Sequence, residues 1–284
     1  MRVRNLLFFA LLAFCLPAAA EPKLNTTGTQ MRDVPFVKRG AQSLSIRLVR
    51  PIKIEKPLPV VLYFHGGAWI NGSHQKLSPV LLELARAGVA VASVEFRSSK
   101  EAHFPAQLDD ARAAVRWVKD NAKSNSLDSK HIGVYGLSTG GLFAGLLAYS
   151  GSSVQAACLQ SAPTDLNSLK GAQFDWQTSS SPLGALLGFA PKSNREALQR
   201  ASPIFYADED APPTLLLSGS DDEFIAPSQT EALYQTLKGA KTSVQWMRFD
   251  GEGHDLRGAG DDVTKAVVLF FTRELKAKSA HSRT

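Results

Sequence analysis

The chain has only two cysteines in 284 residues, Cys15 and Cys158, which excludes a disulfide-stapled scaffold and any cysteine-rich zinc site. H-E-x-x-H, C-x-x-C and P-loop motifs are all missing, so metal-dependent hydrolysis and nucleotide chemistry have no support, and no metal or cofactor is expected. There is no basic block either. The net charge of +6 is spread along the sequence, which argues for solubility and against a nucleic-acid partner. What is present is ordinary for a soluble globular protein: 44% apolar and 20% charged residues, which excludes disorder, collagen and coiled coil. The length leaves room for a sizeable core.

The first twenty residues differ in kind. Arg2 and Arg4 precede an apolar run from Leu6 to Leu16, then Pro17-Ala18-Ala19-Ala20. A basic end, a short apolar stretch and an A-x-A terminus read as a secretory signal peptide at 1–20, with cleavage before Glu21. The run is shorter than the roughly 20 residues that span a bilayer. The bulky Phe14 before Cys15 is wrong for a lipidation signal. The expectation is an exported protein, periplasmic or secreted, with no stable membrane anchor after cleavage. Cys158, in an apolar stretch, is expected as a buried inert thiol.

From there apolar, β-branched runs alternate with helical periods. Strands are expected at 44–49, 60–64, 89–95, 131–135, 156–159, 214–217 and 244–249. Helices are expected at 79–87, 104–121, 142–149, 228–237 and 263–276. This alternation predicts an α/β fold: a mostly parallel, doubly wound sheet with helices on both faces, forming a single domain over 21–284. Only 165–211 breaks the rhythm. Rich in Ser, Gly, Pro and aromatics, it reads as a partly helical insertion.

The chemical signal begins at Gly136-Leu137-Ser138-Thr139-Gly140. A lone G-x-S-x-G is weak, since about 0.1 matches are expected by chance in a chain this long. Its setting strengthens it, because an apolar strand runs into it and a small-residue helix leaves it. A serine held at such a turn exposes its Oγ, and the helix N-terminus behind favours negative charge. A second signal, His65-Gly66-Gly67-Ala68-Trp69, follows the strand at 60–64. Acyl transfer needs donors where a carbonyl oxygen becomes an anion; the amides of Gly67, Ala68 and Thr139 are the expected oxyanion hole. His65 reads as a brace for this loop. Trp69 is a candidate substrate-binding wall, with packing beneath the loop as the alternative.

An acid and a histidine should follow the serine. Ser218-Gly219-Ser220-Asp221-Asp222-Glu223-Phe224-Ile225 and Asp250-Gly251-Glu252-Gly253-His254 both follow expected strands, where open α/β sheets place their sites. His254 is the base candidate; either aspartate suits the acid. His74, His103, His131 and His281 lack such a setting and read as solvated or structural.

With these residues in place, the chain resembles an α/β-hydrolase. Within that fold it is similar to the bacterial esterase/lipase group that includes hormone-sensitive-lipase-like and feruloyl-esterase-like (BD-FAE) proteins. The likeness runs from about residue 60 to 254. It includes Val94-Glu95-Phe96-Arg97, Phe104-Pro105-Ala106-Gln107 leading into Ala114-Val115-Arg116-Trp117, Pro163-Thr164-Asp165-Leu166, and Ala201-Ser202-Pro203. Relatives commonly read G-x-x-D-x-x-V-P near the acid. Gly219, Asp222 and Ile225 fit that frame although Ala226 replaces the proline, so the resemblance selects Asp222 over Asp221. Asp165 matches a non-catalytic position. Two departures stand out: Thr139 replaces the usual alanine beside the serine, where it crowds or hydrogen-bonds near the oxyanion site, and Ser218 replaces a histidine before Gly219.

The resemblance implies an exported serine esterase with the triad Ser138, Asp222 and His254, acting through an acyl-enzyme without a cofactor. Short-acyl or hydroxycinnamoyl esters, free or linked to polysaccharide, are the implied substrates. Phe174, Trp176, Leu183, Leu186, Leu187, Phe189, Phe205 and Tyr206 in the insertion either wall an acyl pocket or pack the insertion onto the body. A formamidase or peptidase would use the same apparatus. A hydrolase-fold binding protein without turnover would be expected to have lost one of these positions, and none is missing.

Overall fold

The computed structural model describes residues 24–151 and 153–276; the expected leader at 1–20, with Cys15, and His281 lie outside them. Strands β1 (Thr29–Arg39), β2 (Gln42–Pro51) and β3 (Leu58–Phe64) come first. Then α1 (Pro79–Arg86), β4 (Ala90–Val94), α2 (Ala106–Asp120), β5 (Leu127–Leu137), α3 (Gly140–Tyr149) and β6 (Ala156–Gln160) alternate. The short helices α4 (Pro182–Leu187) and α5 (Arg195–Arg200) precede β7 (Thr214–Gly219), α6 (Ser228–Gly239), β8 (Val244–Phe249) and α7 (Gly260–Lys276). One eight-stranded sheet has the order β1-β2-β4-β3-β5-β6-β7-β8. β2 pairs antiparallel with β1 and β4, and every pair from β4 to β8 is parallel.

The central strands are buried on both faces, and their period of two divides the core. Val60, Leu62 and Phe64 of β3 pack with Leu108 and Val115 of α2, Phe143 of α3 and Leu233 of α6. Val61 and Tyr63 point the other way, towards Leu81 and Leu84 of α1 and Val267 and Phe271 of α7. Every residue of α3 is buried, as expected for a helix apolar on all sides. Cys158 of β6 is a buried free thiol whose pKa burial raises well above its ordinary value, which keeps it uncharged and unreactive.

Each expected strand and helix is present, but β1 is additional. Its residues, Thr-Gln-Met-Arg-Asp-Val-Pro-Phe-Val-Lys-Arg, are mostly half-buried or exposed, with Asp33, Lys38 and two arginines breaking the apolar alternation. This is an edge strand, and its register shifts between Pro35 and Val37. Charge and a proline-associated bulge protect such an edge from further pairing, and they also conceal it from hydrophobic pattern. Region 165–211 contains α4, α5 and single 3₁₀ turns, and Trp176, Leu183, Leu186 and Leu198 are buried in the body's core. Among the described residues no helix is long and apolar enough to cross a membrane.

One buried ion cluster fastens the outer strands to this body. The Asp110 side chain on α2 is fully buried; it accepts from Arg97 Nε (2.8 Å) and Nη2 (2.8 Å) and from Arg39 Nε of β1 (2.7 Å). Removing the carboxylate leaves two partly buried guanidinium groups without the anion they share. Asp110→Ala is therefore expected to cost about 3 kcal/mol or more, lowering the melting temperature by at least about 6 °C. A scan showing a change under about 2 °C would contradict this role.

Candidate active site

The loops that follow β3, β5, β7 and β8 meet at the carboxyl edge of the sheet. Ser138 lies between the end of β5 and the start of α3 with φ +52°, a left-handed conformation that is costly for serine. The turn can be this tight because α3 begins with glycine: a Cβ on Gly140 would lie 2.2 Å from the Phe64 carbonyl oxygen. The Ser138 N–H is held by the Gln160 carbonyl of β6 at 2.8 Å.

His254 and Asp222 complete a chain of hydrogen bonds. His254 Nε2 is 2.7 Å from Ser138 Oγ, and His254 Nδ1 is 2.8 Å from Asp222 Oδ2. A carboxylate only accepts, so Nδ1 carries the proton and Nε2 accepts from the Ser138 hydroxyl. The Asp222 side chain is fully buried, and its other oxygen accepts the N–H groups of Phe224 and Ile225, each at 2.9 Å. Proton transfer from Ser138 to His254 would therefore place an imidazolium against a fixed carboxylate. The neighbouring Asp221 points elsewhere: it accepts from the Ser220 hydroxyl at 2.7 Å. Asp165 caps its own turn through Asn167 and Ser168. Ser218 accepts from Trp246 Nε1 at 3.0 Å.

Gly67, Ala68 and Trp69 have φ of +126°, +56° and +59°, so the loop after β3 curls through three left-handed residues in a row. A Cβ on Gly67 would meet the Asn71 oxygen at 2.1 Å, so no other residue fits. Among the described residues no protein acceptor takes the N–H of Gly67, Ala68 or Thr139, and all three residues border one cavity with Ser138 and His254. Donors left free beside a nucleophile are what a developing oxyanion requires. His65 braces the loop: its Nδ1 donates to the Gly66 carbonyl at 2.7 Å and its ring stacks on Phe96, 4.5 Å between centroids. Burial lowers its pKa and keeps it neutral.

Trp69 corrects the reading that made it a substrate wall. Its indole is buried (1% exposed), donates Nε1–H to the Thr139 carbonyl at 2.8 Å, and meets Trp176 edge-on. Trp69 does not border the cavity; it ties the loop after β3 to the serine turn from beneath. The remaining histidines are structural or absent from the site. His74 is buried beside a hollow that excludes Ser138 and His254, His103 Nδ1 bonds the Ala185 carbonyl, and His131 bonds Asp128.

The cavity beside Ser138 measures about 270 Å³, with Phe174, Trp176, Phe224 and Ile225 as its apolar wall. From the insertion only Phe174 and Trp176 reach it. Leu183, Leu186 and Leu187 pack into the core, Phe189 and Tyr206 border a separate hollow, and Phe205 is 53% exposed. A larger hollow of about 890 Å³, rimmed by Lys53, Lys56, Lys119, Lys123 and Lys130, lies at the amino ends of β3 and β5, away from these groups. Two residues escape sequence reasoning. Phe224, two positions past Asp222, lies 5.2 Å from the His254 ring. Ser161, just past β6, donates its hydroxyl to the His254 carbonyl at 2.8 Å. The signal for Phe224 is an aromatic inside an otherwise polar loop; for Ser161 there is only a hydroxyl at the end of an apolar strand.

The sheet and this site define an α/β-hydrolase. The BD-FAE family model matches residues 46–237, and the chain belongs to that family. Esterase LipC of Mycobacterium tuberculosis is 28% identical over 245 residues, covering 79% of this chain and 60% of LipC. Carboxylesterase NlhH of the same organism is 37% identical over 110 residues, covering 38% of this chain and 34% of NlhH. The chain thus spans less than two thirds of the curated relatives it matches. Among solved structures, a bifunctional GH43-CE protein of Bacteroides eggerthii superposes with TM-score 0.76 at 26% identity, covering 90% of this chain and 36% of that one. A truncated carbohydrate esterase from gut microbiota superposes with TM-score 0.75 at 24% identity, covering 86% and 96%.

The position of Trp69 generates a prediction. Trp69→Phe deletes the donor to a buried carbonyl, a loss of about 1–3 kcal/mol. The melting temperature is expected to fall by several degrees, while the order of preference among ligands of the cavity stays unchanged. A reordered preference with unchanged stability would restore Trp69 to the cavity wall.

Proposed function

We propose that this chain is a serine esterase that hydrolyses small carboxylic esters through an acyl-enzyme. The observation that carries this reading is the continuous path Ser138–His254–Asp222 beside three unengaged amides and a small apolar cavity. Ser138 Oγ attacks the ester carbonyl as His254 Nε2 takes its proton, and Asp222 stabilises the imidazolium. The carbonyl oxygen becomes an anion held by the N–H groups of Gly67, Ala68 and Thr139. His254 returns the proton to the leaving alcohol, and water, activated by the same imidazole, releases the acid. Each step uses only protein groups and water.

The names of the relatives support the same class: an esterase, a carboxylesterase and, in Pseudomonas putida, an ethyl acetate hydrolase, 34% identical over 119 residues. The size of the cavity narrows the choice. At about 270 Å³ it lies below the roughly 300–1,000 Å³ of sites that enclose drug-sized ligands, so acyl groups of about two to six carbons are the fitting class. The leader-like 1–20 segment supports export, and with it esters carried on polymers outside the cell, including hydroxycinnamoyl groups on polysaccharide.

A hydrolysis panel on purified protein tests the reading, setting acetyl, butyryl, palmitoyl and feruloyl esters against an N-formyl amide and a peptide. The expected specificity constant is highest for acetyl or butyryl esters and survives chelator. A rise towards palmitate, or preference for the amide or peptide, would replace the reading with lipase, formamidase or peptidase activity. The acid is tested separately. Asp222→Asn is expected to lower kcat by about 10³–10⁴-fold and Asp221→Asn by less than about tenfold; reversed effects would refute the assignment.

A further inference from the structure

β6 lies between β5, which carries Ser138, and β7, which precedes Asp222, so its end is the one point in the sheet adjacent to both. Two consecutive residues there make three bonds across it. The Gln160 carbonyl accepts the Ser138 N–H at 2.8 Å, the Ser161 N–H donates to the Leu217 carbonyl of β7 at 2.8 Å, and the Ser161 hydroxyl donates to the His254 carbonyl at 2.8 Å. Ser161 is 1% exposed and has φ +49°, so the fold maintains an unfavourable serine backbone to aim a hydroxyl.

At His254 itself, the Ser161 hydroxyl makes the one main-chain hydrogen bond found among the described residues. The preceding segment is tied to the loop after β7, Gly251 N–H to Ser220 Oγ at 2.8 Å and Asp221 N–H to the Glu252 carbonyl at 2.9 Å, but among the described residues no other hydrogen bond reaches the N–H or C=O of His254. The side-chain bonds to Asp222 and Ser138 fix the ring only when its backbone is already in place.

We propose that Ser161 is a positioning residue that sets His254, through the carbonyl of His254 itself, at the height where the imidazole meets Asp222 and Ser138 together. This rests on the ester-hydrolase reading for its effect on turnover, but not for its effect on the imidazole. Because Ser138 hangs from residue 160 and His254 from residue 161, the end of β6 fixes the spacing of nucleophile and base in one element.

The test uses Ser161→Ala and Ser161→Gly on the full chain. Both delete the hydroxyl. Glycine also relaxes the left-handed backbone, so this variant retains the fold if alanine does not. Two readouts are taken: steady-state kinetics on a short-acyl ester, and the low-field proton resonance of His254 Nδ1–H in its bond to Asp222. Both variants are expected to lose about 10–100-fold in kcat, the scale of a misplacement near 1 Å, with KM within about threefold. The resonance should shift or broaden beyond detection while the melting temperature of the glycine variant stays near that of the parent. An unchanged resonance overturns the proposal, whatever happens to kcat, because the imidazole would then be in place without the hydroxyl. A parent protein that turned over no ester would count against the proposed function, and the resonance would still decide the role of Ser161.

Discussion

His254 must face two partners at once, a carboxylate on one ring nitrogen and a hydroxyl on the other, and those partners come from different strands. The distances of 2.8 Å and 2.7 Å leave little slack. An imidazole rotated or lifted by about an ångström would keep one bond and lose the other, and such a shift near a reacting centre costs about 10²-fold in rate. The parallel sheet meets this requirement with rigid elements. β5, β6, β7 and β8 are consecutive neighbours, so the loops carrying Ser138, Ser161, Asp222 and His254 are spaced by inter-strand hydrogen bonds.

Holding these loops concentrates backbone strain in one place. Ala68, Trp69, Ser138 and Ser161 are non-glycine residues at positive φ, and all belong to this edge of the sheet. Each such residue costs on the order of 1–3 kcal/mol and persists only where its surroundings over-determine it. Here those surroundings are visible: Trp69 is bonded to the Thr139 carbonyl, Ser138 to Gln160, and Ser161 to both Leu217 and His254. The core beneath, with Phe64, Phe143 and Leu159 fully or nearly fully buried, supplies the stability that offsets it.

Much of this was legible in the residues, for identifiable reasons. The strands β3, β4, β6 and β7 are apolar runs between polar turns, and burial on both faces is what produces such runs. The turn at Ser138 and the loop after β3 were legible because close approach and positive φ leave glycine no substitute at Gly140 and Gly67. β1 was hidden because a solvent-facing edge is under no pressure to alternate. The direction of the Trp69 indole was not legible, since a tryptophan after a glycine loop serves equally well above or below it. Ser161 was hidden for another reason: its function lies in one hydrogen bond to a residue 93 positions away, and local pattern does not encode such a contact. The same holds for Asp221 and Asp222, which only the fold, or the frame of relatives, separates.

The central claim is that an acyl group passes through Ser138. It is tested most directly by quenching the protein in acid during turnover of a slowly deacylating activated ester and mapping the adduct by mass spectrometry. The account predicts one acyl group per chain, attached to Ser138 and absent from Ser138→Ala. Ester turnover with no adduct on Ser138, or with the acyl group on another side chain, would contradict it.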